Sequence, residues 1–88
     1  MIHYSIHFTK RSEDDAVRLD SSILKRISVA IETKLSVDPV RFGKPLGYSL
    51  RYVRTLRIGD WRVLYQISRT TVIILTIRHR REGYGDLS

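Results

Sequence analysis

Eighty-eight residues without a cysteine, carrying sixteen Lys and Arg against nine Asp and Glu, leave room for a single domain spanning residues 1–88. They exclude a disulfide framework, a thiolate metal site and a cysteine nucleophile. The net charge of +7 is segregated: residues 1–40 hold six basic and six acidic groups, whereas 41–88 hold ten basic groups, nine of them arginine, against three acidic. A partner rich in phosphate or carboxylate is the expectation, because arginine suits bidentate contact with either. The longest apolar run, Val72 to Leu75, is far short of the roughly 20 residues of a membrane span. Met1-Ile2-His3-Tyr4 also lacks the charged-then-apolar pattern of a signal peptide. A soluble, cytoplasmic protein with no membrane association is expected.

In chain order, Ile2, Tyr4, Ile6 and Phe8 alternate with His3, Ser5, His7 and Thr9, the period of a half-buried strand. Ser12 is placed to cap a short helix whose first turn holds Glu13, Asp14 and Asp15, where carboxylates suit the helix dipole. Asp20 or Ser21 starts a second helix. Its Ile23, Leu24, Ile27, Ala30, Ile31 and Leu35 keep the spacing of a core-facing stripe, and Asp38-Pro39 ends it. Residues 39–49 read as a loop punctuated by Pro39, Gly43, Pro45 and Gly47. Three strands follow, roughly Leu50–Ile58, Trp61–Ser68 and Thr71–Arg78, the last apolar on both faces as a central strand would be. The fold class is α+β: two N-terminal helices packed on a four-stranded, largely antiparallel sheet in the order β-α-α-β-β-β.

Gly59-Asp60 is a two-residue hairpin loop, with glycine supplying positive φ. That turn sets Arg57 opposite Arg62, an electrostatic cost on one sheet face, and such a pair suits an anion. With a two-residue third loop Arg62 faces Ile77, diagonal to His79. With a three-residue loop it faces Arg78. Arg78-His79-Arg80-Arg81 and Tyr84 follow directly, giving an arginine-lined surface with an aromatic at its rim that can stabilise phosphate charge and stack on a base. In regular pairing Arg54 points to the other face, and only a strand bulge would bring it to the phosphate-binding set. Trp61, Tyr65 and Tyr52 read as core, while Phe42 and Tyr48 in the loop stay undecided between packing and contact.

Other chemistries lack support. His3 and His7 are about 13 Å apart along a strand and cannot share a metal, so no metal site is expected. The carboxylates are accounted for by helix starts, a loop and a turn, which leaves no dyad. No serine sits in a G-x-S-x-G elbow, and Gly43-Lys44-Pro45 lacks the spacing of a phosphate loop.

The segment Leu56-Arg57-Ile58-Gly59-Asp60-Trp61-Arg62-Val63-Leu64-Tyr65, followed by an apolar strand and His79-Arg80-Arg81-Glu82-Gly83-Tyr84, resembles the RelE/ParE superfamily of type II toxin–antitoxin toxins over nearly the whole chain. The resemblance implies a compact microbial RNase fold and a ribosome-dependent mRNA endonuclease that needs no cofactor or metal. In it the RNA cuts itself, a 2′-hydroxyl displacing the adjacent phosphoester. Carried over by motif, the catalytic residues are Arg62 on the scissile phosphate, Arg80 or Arg81 sharing that role and helping the leaving group, and Tyr84 orienting RNA or moving a proton. Arg54, Arg57, Arg78 and His79 complete the RNA- and phosphate-binding set. Thr55 stands where active relatives often carry Lys or Arg. The alternatives are a ParE-like, non-enzymatic inhibitor of DNA gyrase and an inactive domain that only binds its partner. The partners implied are a cognate antitoxin, whose acidic or amphipathic segment wraps the domain, and the ribosome with its mRNA.

Overall fold

The computed structural model describes residues 3–47 and 52–83. Strand β1 (Ser5–Phe8) leads into helix α1 (Lys10–Val17) and helix α2 (Ser21–Ala30). The α+β class matches the sequence reading, but the sheet has five strands, in the order β1-β5-β4-β3-β2. The segment expected to be a loop contains a one-turn helix α3 (Pro39–Phe42) and a two-residue strand β2 (Lys44–Pro45). A three-strand meander completes the sheet: β3 (Arg54–Ile58), β4 (Trp61–Ser68) and β5 (Thr71–His79). The sheet is mixed, because β1 runs parallel to β5, Ser5 facing Thr71 and Phe8 facing Ile74. Parallel partners need a long crossover, and here the helices and the meander supply it.

β1 ends beside Ile74 while β5 continues to His79, so β5 would present an open edge. Helix α1 covers it. Thr9, not Ser12, is the cap: its Oγ1 accepts from the Ser12 backbone N–H at 3.2 Å and lies 3.0 Å from the carbonyl oxygens of Ile74 and Leu75. Ser12 is buried and donates its hydroxyl to the Thr9 carbonyl at 3.0 Å. Further along, the Asp15 carboxylate accepts from the Thr76 hydroxyl at 2.7 Å and from the Ile77 backbone N–H at 3.0 Å. Asp15 is thus more than a helix-start charge. It satisfies a strand N–H that would otherwise lack a partner in the sheet.

Helix α2 lays its stripe on one face of the sheet. Ile27, Ala30, Ile31 and Leu35 are buried against Leu56, Val63, Tyr65, Val72, Ile74 and Ile77. The helix widens into a π-helical turn over Ile31–Leu35, with Ser36 N–H donating to the Ile31 carbonyl at 3.1 Å. Asp38-Pro39 both closes this helix and opens the next: Asp38 accepts from the Arg41 N–H at 3.2 Å, and Pro39 takes the first helical position, where its missing donor costs nothing. Of the aromatics expected in the core, Tyr65 is fully buried and Trp61 half-buried, but Tyr52 is 81% exposed and adopts a φ of 66°. Among the described residues, no helix is long and apolar enough to cross a membrane.

The meander positions the opposite face. Gly59 (φ 59°) and Asp60 turn β3 into β4, pairing Ile58 with Trp61, Arg57 with Arg62 and Leu56 with Val63. Arg69-Thr70 turn β4 into β5, pairing Ser68 with Thr71. From that two-residue loop alone Arg62 would face Ile77. Between Leu64 and Tyr65 the register shifts, with Leu64 facing Thr76 and Tyr65 facing Ile74. Leu75 is the extra residue, and a bulge of this kind moves every later pair by one. Arg62 therefore faces Arg78.

Candidate functional site

The bulge aligns Arg57, Arg62 and Arg78 across three adjacent strands. Directly opposed side chains in a sheet have Cβ atoms about 5 Å apart, so the three arginine side chains leave the sheet in one short stripe. The stripe grades inward: Arg57 is exposed, Arg62 half-buried and Arg78 only 3% exposed. Arg78 donates to the Gly83 carbonyl and, at 3.4 Å, to the Thr76 hydroxyl. Thr55 and Leu64 face each other on the same side of the sheet. The Thr55 Oγ1 is buried and finds no hydrogen-bond partner among the described residues.

Past β5 the chain turns at Arg80 and Arg81 and folds back on the first hairpin. Arg80 donates its backbone N–H to the Asp60 carbonyl at 2.7 Å and sets its guanidinium 3.7 Å from the Asp60 carboxylate. The Glu82 carboxylate accepts the His79 N–H at 2.9 Å. Arg80 is thereby fixed beside the Gly59-Asp60 turn, with Arg81 next to it in the chain, both exposed. His79 is on the opposite face, its ring edge-on to Trp61 at 5.1 Å and 88°, and its Nδ1 accepts from the Arg81 N–H at 3.2 Å. The structure therefore brings Arg57, Arg62 and Arg78 together and sets Arg80 and Arg81 at the end of the hairpin, but holds His79 as a wedge behind them. Tyr84 lies outside the described residues.

Arg54 needs correction. β3 pairs with β4 without a bulge, and Arg54 faces Tyr65 on the core side. Its Nη2 donates to the Val40 carbonyl at 2.7 Å and the Gly43 carbonyl at 2.9 Å, neutralising the carbonyl end of α3. Tyr65 completes this lock, donating its hydroxyl to the Pro39 carbonyl at 2.6 Å. Arg54 is an anchor for α3, not a member of the arginine stripe. Burial pushes the Tyr65 hydroxyl up from its ordinary value of 10.0, with Arg54 partly opposing that shift.

A raised pKa in the fold means that the neutral phenol contributes stability that is intact below the unfolded value and lost as pH rises through the folded one. Tyr65→Phe is expected to cost about 1 kcal/mol near neutrality, one buried hydrogen bond. The gap between wild type and variant should narrow as pH rises above the ordinary value of 10.0 and through the raised folded one. Denaturant titrations across that range check both statements, and a gap that widens with pH would contradict them.

Sequence reasoning left Phe42 undecided and passed over Lys34 and Lys44, yet the three line one cavity with Thr55, Leu56 and Arg57. The signal available was local: an aromatic between cations in Arg41-Phe42-Gly43-Lys44. Among the described residues, no three His, Cys, Asp or Glu side chains are grouped to hold a metal.

Residues 6–84 match the family model described as ParE toxin of type II toxin-antitoxin system, parDE. The chain is 36% identical over 83 residues to Toxin RelG of Mycobacterium tuberculosis, covering 92% of this chain and 95% of that one. In three dimensions it is similar to a chain of the toxin-antitoxin complex RelBE2 from M. tuberculosis, with a TM-score of 0.85 at 36% identity over 93% of this chain and 97% of the other. Isolated Escherichia coli RelE superposes with a TM-score of 0.74 at 14% identity, covering 96% and 94%. A chain of the chromosomal ParDE system from Pseudomonas aeruginosa gives 0.69 at 16%, covering 88% and 96%. These last two likenesses extend to the fold alone and do not separate RelE-type from ParE-type chemistry.

Proposed function

We propose that this chain, which belongs to the RelE/ParE superfamily of type II toxin–antitoxin toxins, is a cytoplasmic, ribosome-dependent mRNA endonuclease. The observation that carries the reading is the alignment of Arg57, Arg62 and Arg78 by the β5 bulge, beside the exposed pair Arg80 and Arg81. Three like charges on one stripe destabilise the free fold, and an RNA phosphate in their midst reverses the sign of that interaction.

In the reaction the 2′-oxygen attacks the adjacent phosphorus, the bond to the 5′-oxygen breaks, and a 2′,3′-cyclic phosphate and a 5′-hydroxyl result. The proton of the 2′-hydroxyl must leave and the departing 5′-oxygen must gain one. Arginine holds its charge at any working pH, so Arg57, Arg62 and Arg78 act by binding, not by proton exchange. Arg62 at the centre of the stripe holds the non-bridging oxygens as negative charge grows on them. Arg80 or Arg81 steadies the leaving oxygen, and Tyr84 orients the RNA or moves a proton. Arg78, fixed by Gly83 and Thr76, supports the stripe from within. The natural restraint on such a surface is a cognate antitoxin whose acidic segment supplies carboxylates to the same arginines.

A second reading has its own support, because the matching family model is of the ParE type and proteins of that kind can act on DNA gyrase without cutting RNA. One pair of assays separates the two. With the purified protein added to a coupled translation reaction, primer extension is expected to show mRNA cut within the ribosomal A site, and gyrase supercoiling is expected to proceed unimpaired. Intact mRNA with inhibited supercoiling would replace the first reading by the second.

A further inference from the structure

β2 pairs with only Arg54 and Thr55 of β3, so from Leu56 onward that edge of β3 has no strand neighbour among the described residues. A cavity of about 350 Å³ opens there, lined by Lys34, Phe42, Lys44, Thr55, Leu56 and Arg57. Its volume lies at the lower end of the ~300–1,000 Å³ typical of small-ligand sites.

Its chemistry is specific. Among the described residues, the rim carries three cations and no carboxylate. One wall is the ring of Phe42, 41% exposed although it sits on a helix held by Arg54 and Tyr65. Lys34 Nζ and Arg41 Cζ each stand 6.0 Å from the ring centroid, the outer limit of cation–π contact, so neither packs closely on its face. The Thr55 hydroxyl on the lining is buried and lacks a partner among the described residues, a state a polar ligand atom would relieve. A carboxylate peptide would use the cations and leave the ring unused. A nucleotide uses all three features: base on ring, phosphate among cations, and a polar base or sugar atom on the hydroxyl.

We propose that this cavity holds the nucleotide next to the scissile bond, its base stacked on Phe42, its phosphate between Lys44 and Arg57, and a polar atom on Thr55. Arg57 belongs to both the cavity and the arginine stripe, so it links the cavity to a reacting phosphate held at Arg62. This inference rests on the RNA-cleaving reading and adds a base-binding subsite to it.

The test is single-turnover cleavage of mRNA on programmed ribosomes over a range of protein concentrations. Wild type, Phe42→Ala and Phe42→Trp are compared, each on intact mRNA and on mRNA with an abasic residue on one or the other side of the cut. Phe42→Ala is expected to raise the half-saturating concentration about tenfold, the scale of one lost base–aromatic stack, with the maximal rate largely kept. Phe42→Trp is expected to restore wild-type behaviour. One of the abasic substitutions should weaken wild type to the same extent and cost Phe42→Ala nothing further. Wild-type cleavage with an unaffected Phe42→Ala would overturn the subsite alone, as would losses from Phe42→Ala and the abasic residue that simply add. An alanine variant impaired only in binding an acidic antitoxin peptide would reassign Phe42 to a protein interface. Wild type that leaves ribosomal mRNA intact would overturn the function and the subsite together.

Discussion

Arg62→Ala is expected to lower mRNA cleavage in a translation reaction by about 10²–10³-fold, the loss seen when one preorganised donor to a developing anion is removed. Arg62 sits between Arg57 and Arg78, the central position of the proposed phosphate site, and no neighbouring residue reproduces that position. Arg62→Lys should retain part of the activity, because a lysine keeps the charge but not the two-pronged contact. Arg57→Ala should cost less, since Arg57 is exposed at the end of the stripe and its partial loss of binding can be overcome by concentration. The stability of Arg62→Ala, read by denaturant titration, should stay within about 1 kcal/mol of wild type, the scale of a cross-strand like-charge contact. Undiminished cleavage by Arg62→Ala would remove the stripe from the mechanism. Cleavage lost together with several kcal/mol of stability would make Arg62 a folding residue instead.

That the stripe has three members rather than two was only half legible from the sequence. Gly59-Asp60 is readable because a two-residue hairpin needs positive φ and the flanking residues alternate, which fixes Arg57 opposite Arg62. The pairing of Arg62 with Arg78 depends on the bulge at Leu75. The residues around that bulge, Leu64 and Tyr65 on β4 and Ile73, Ile74 and Leu75 on β5, are all apolar. Slipping β5 by one residue exposes no polar side chain to the core there, so hydrophobic patterning exerts little choice between registers. Tertiary contacts decide instead: Thr9 and Asp15 engage the edge of β5 from Ile74 to Ile77.

The same logic explains the other departures. Alternation puts Arg54 on the core face although the resemblance counts it in the phosphate-binding set, and its partners are carbonyls of α3, a single turn hidden in a stretch whose proline and glycines read as loop punctuation. Pro39 after Asp38 was the overlooked start signal, a proline in the first helical position behind a capping carboxylate. Strand periodicity puts Tyr52 in the core, but regular pairing begins only at Arg54, and a residue before the strand has no obligation to alternate. Phe42, fifteen residues before Arg57, becomes a candidate only when folding sets it beside Lys34, with all three lining the same cavity. Local patterns carried the hairpin and the helices, whereas everything that depends on which edge meets which helix had to come from three dimensions.

Gly43→Ala is expected to be strongly destabilising, although nothing about the backbone demands glycine there. At φ −97° and ψ 169° any residue is comfortable, so the requirement is space. A Cβ at this position would lie 1.7 Å from the Tyr65 hydroxyl oxygen and 2.6 Å from the ring carbon that bears it. Relief requires that Tyr65 or α3 move. Either motion breaks the buried bond from Tyr65 to Pro39 and disturbs the two from Arg54 to Val40 and Gly43. Overpacking and one lost buried hydrogen bond together suggest a cost of about 2–4 kcal/mol, or roughly 10–25 °C in Tm for a domain of this size. Because the clash begins at the hydroxyl, Tyr65→Phe should absorb part of it, and the double variant should be less destabilised than the sum of the single changes. Strict additivity would show that the methyl acts elsewhere. Since α3 carries Phe42, the alanine variant that remains folded at low temperature should also need more protein to half-saturate cleavage, while Arg62 and the stripe continue to set the maximal rate.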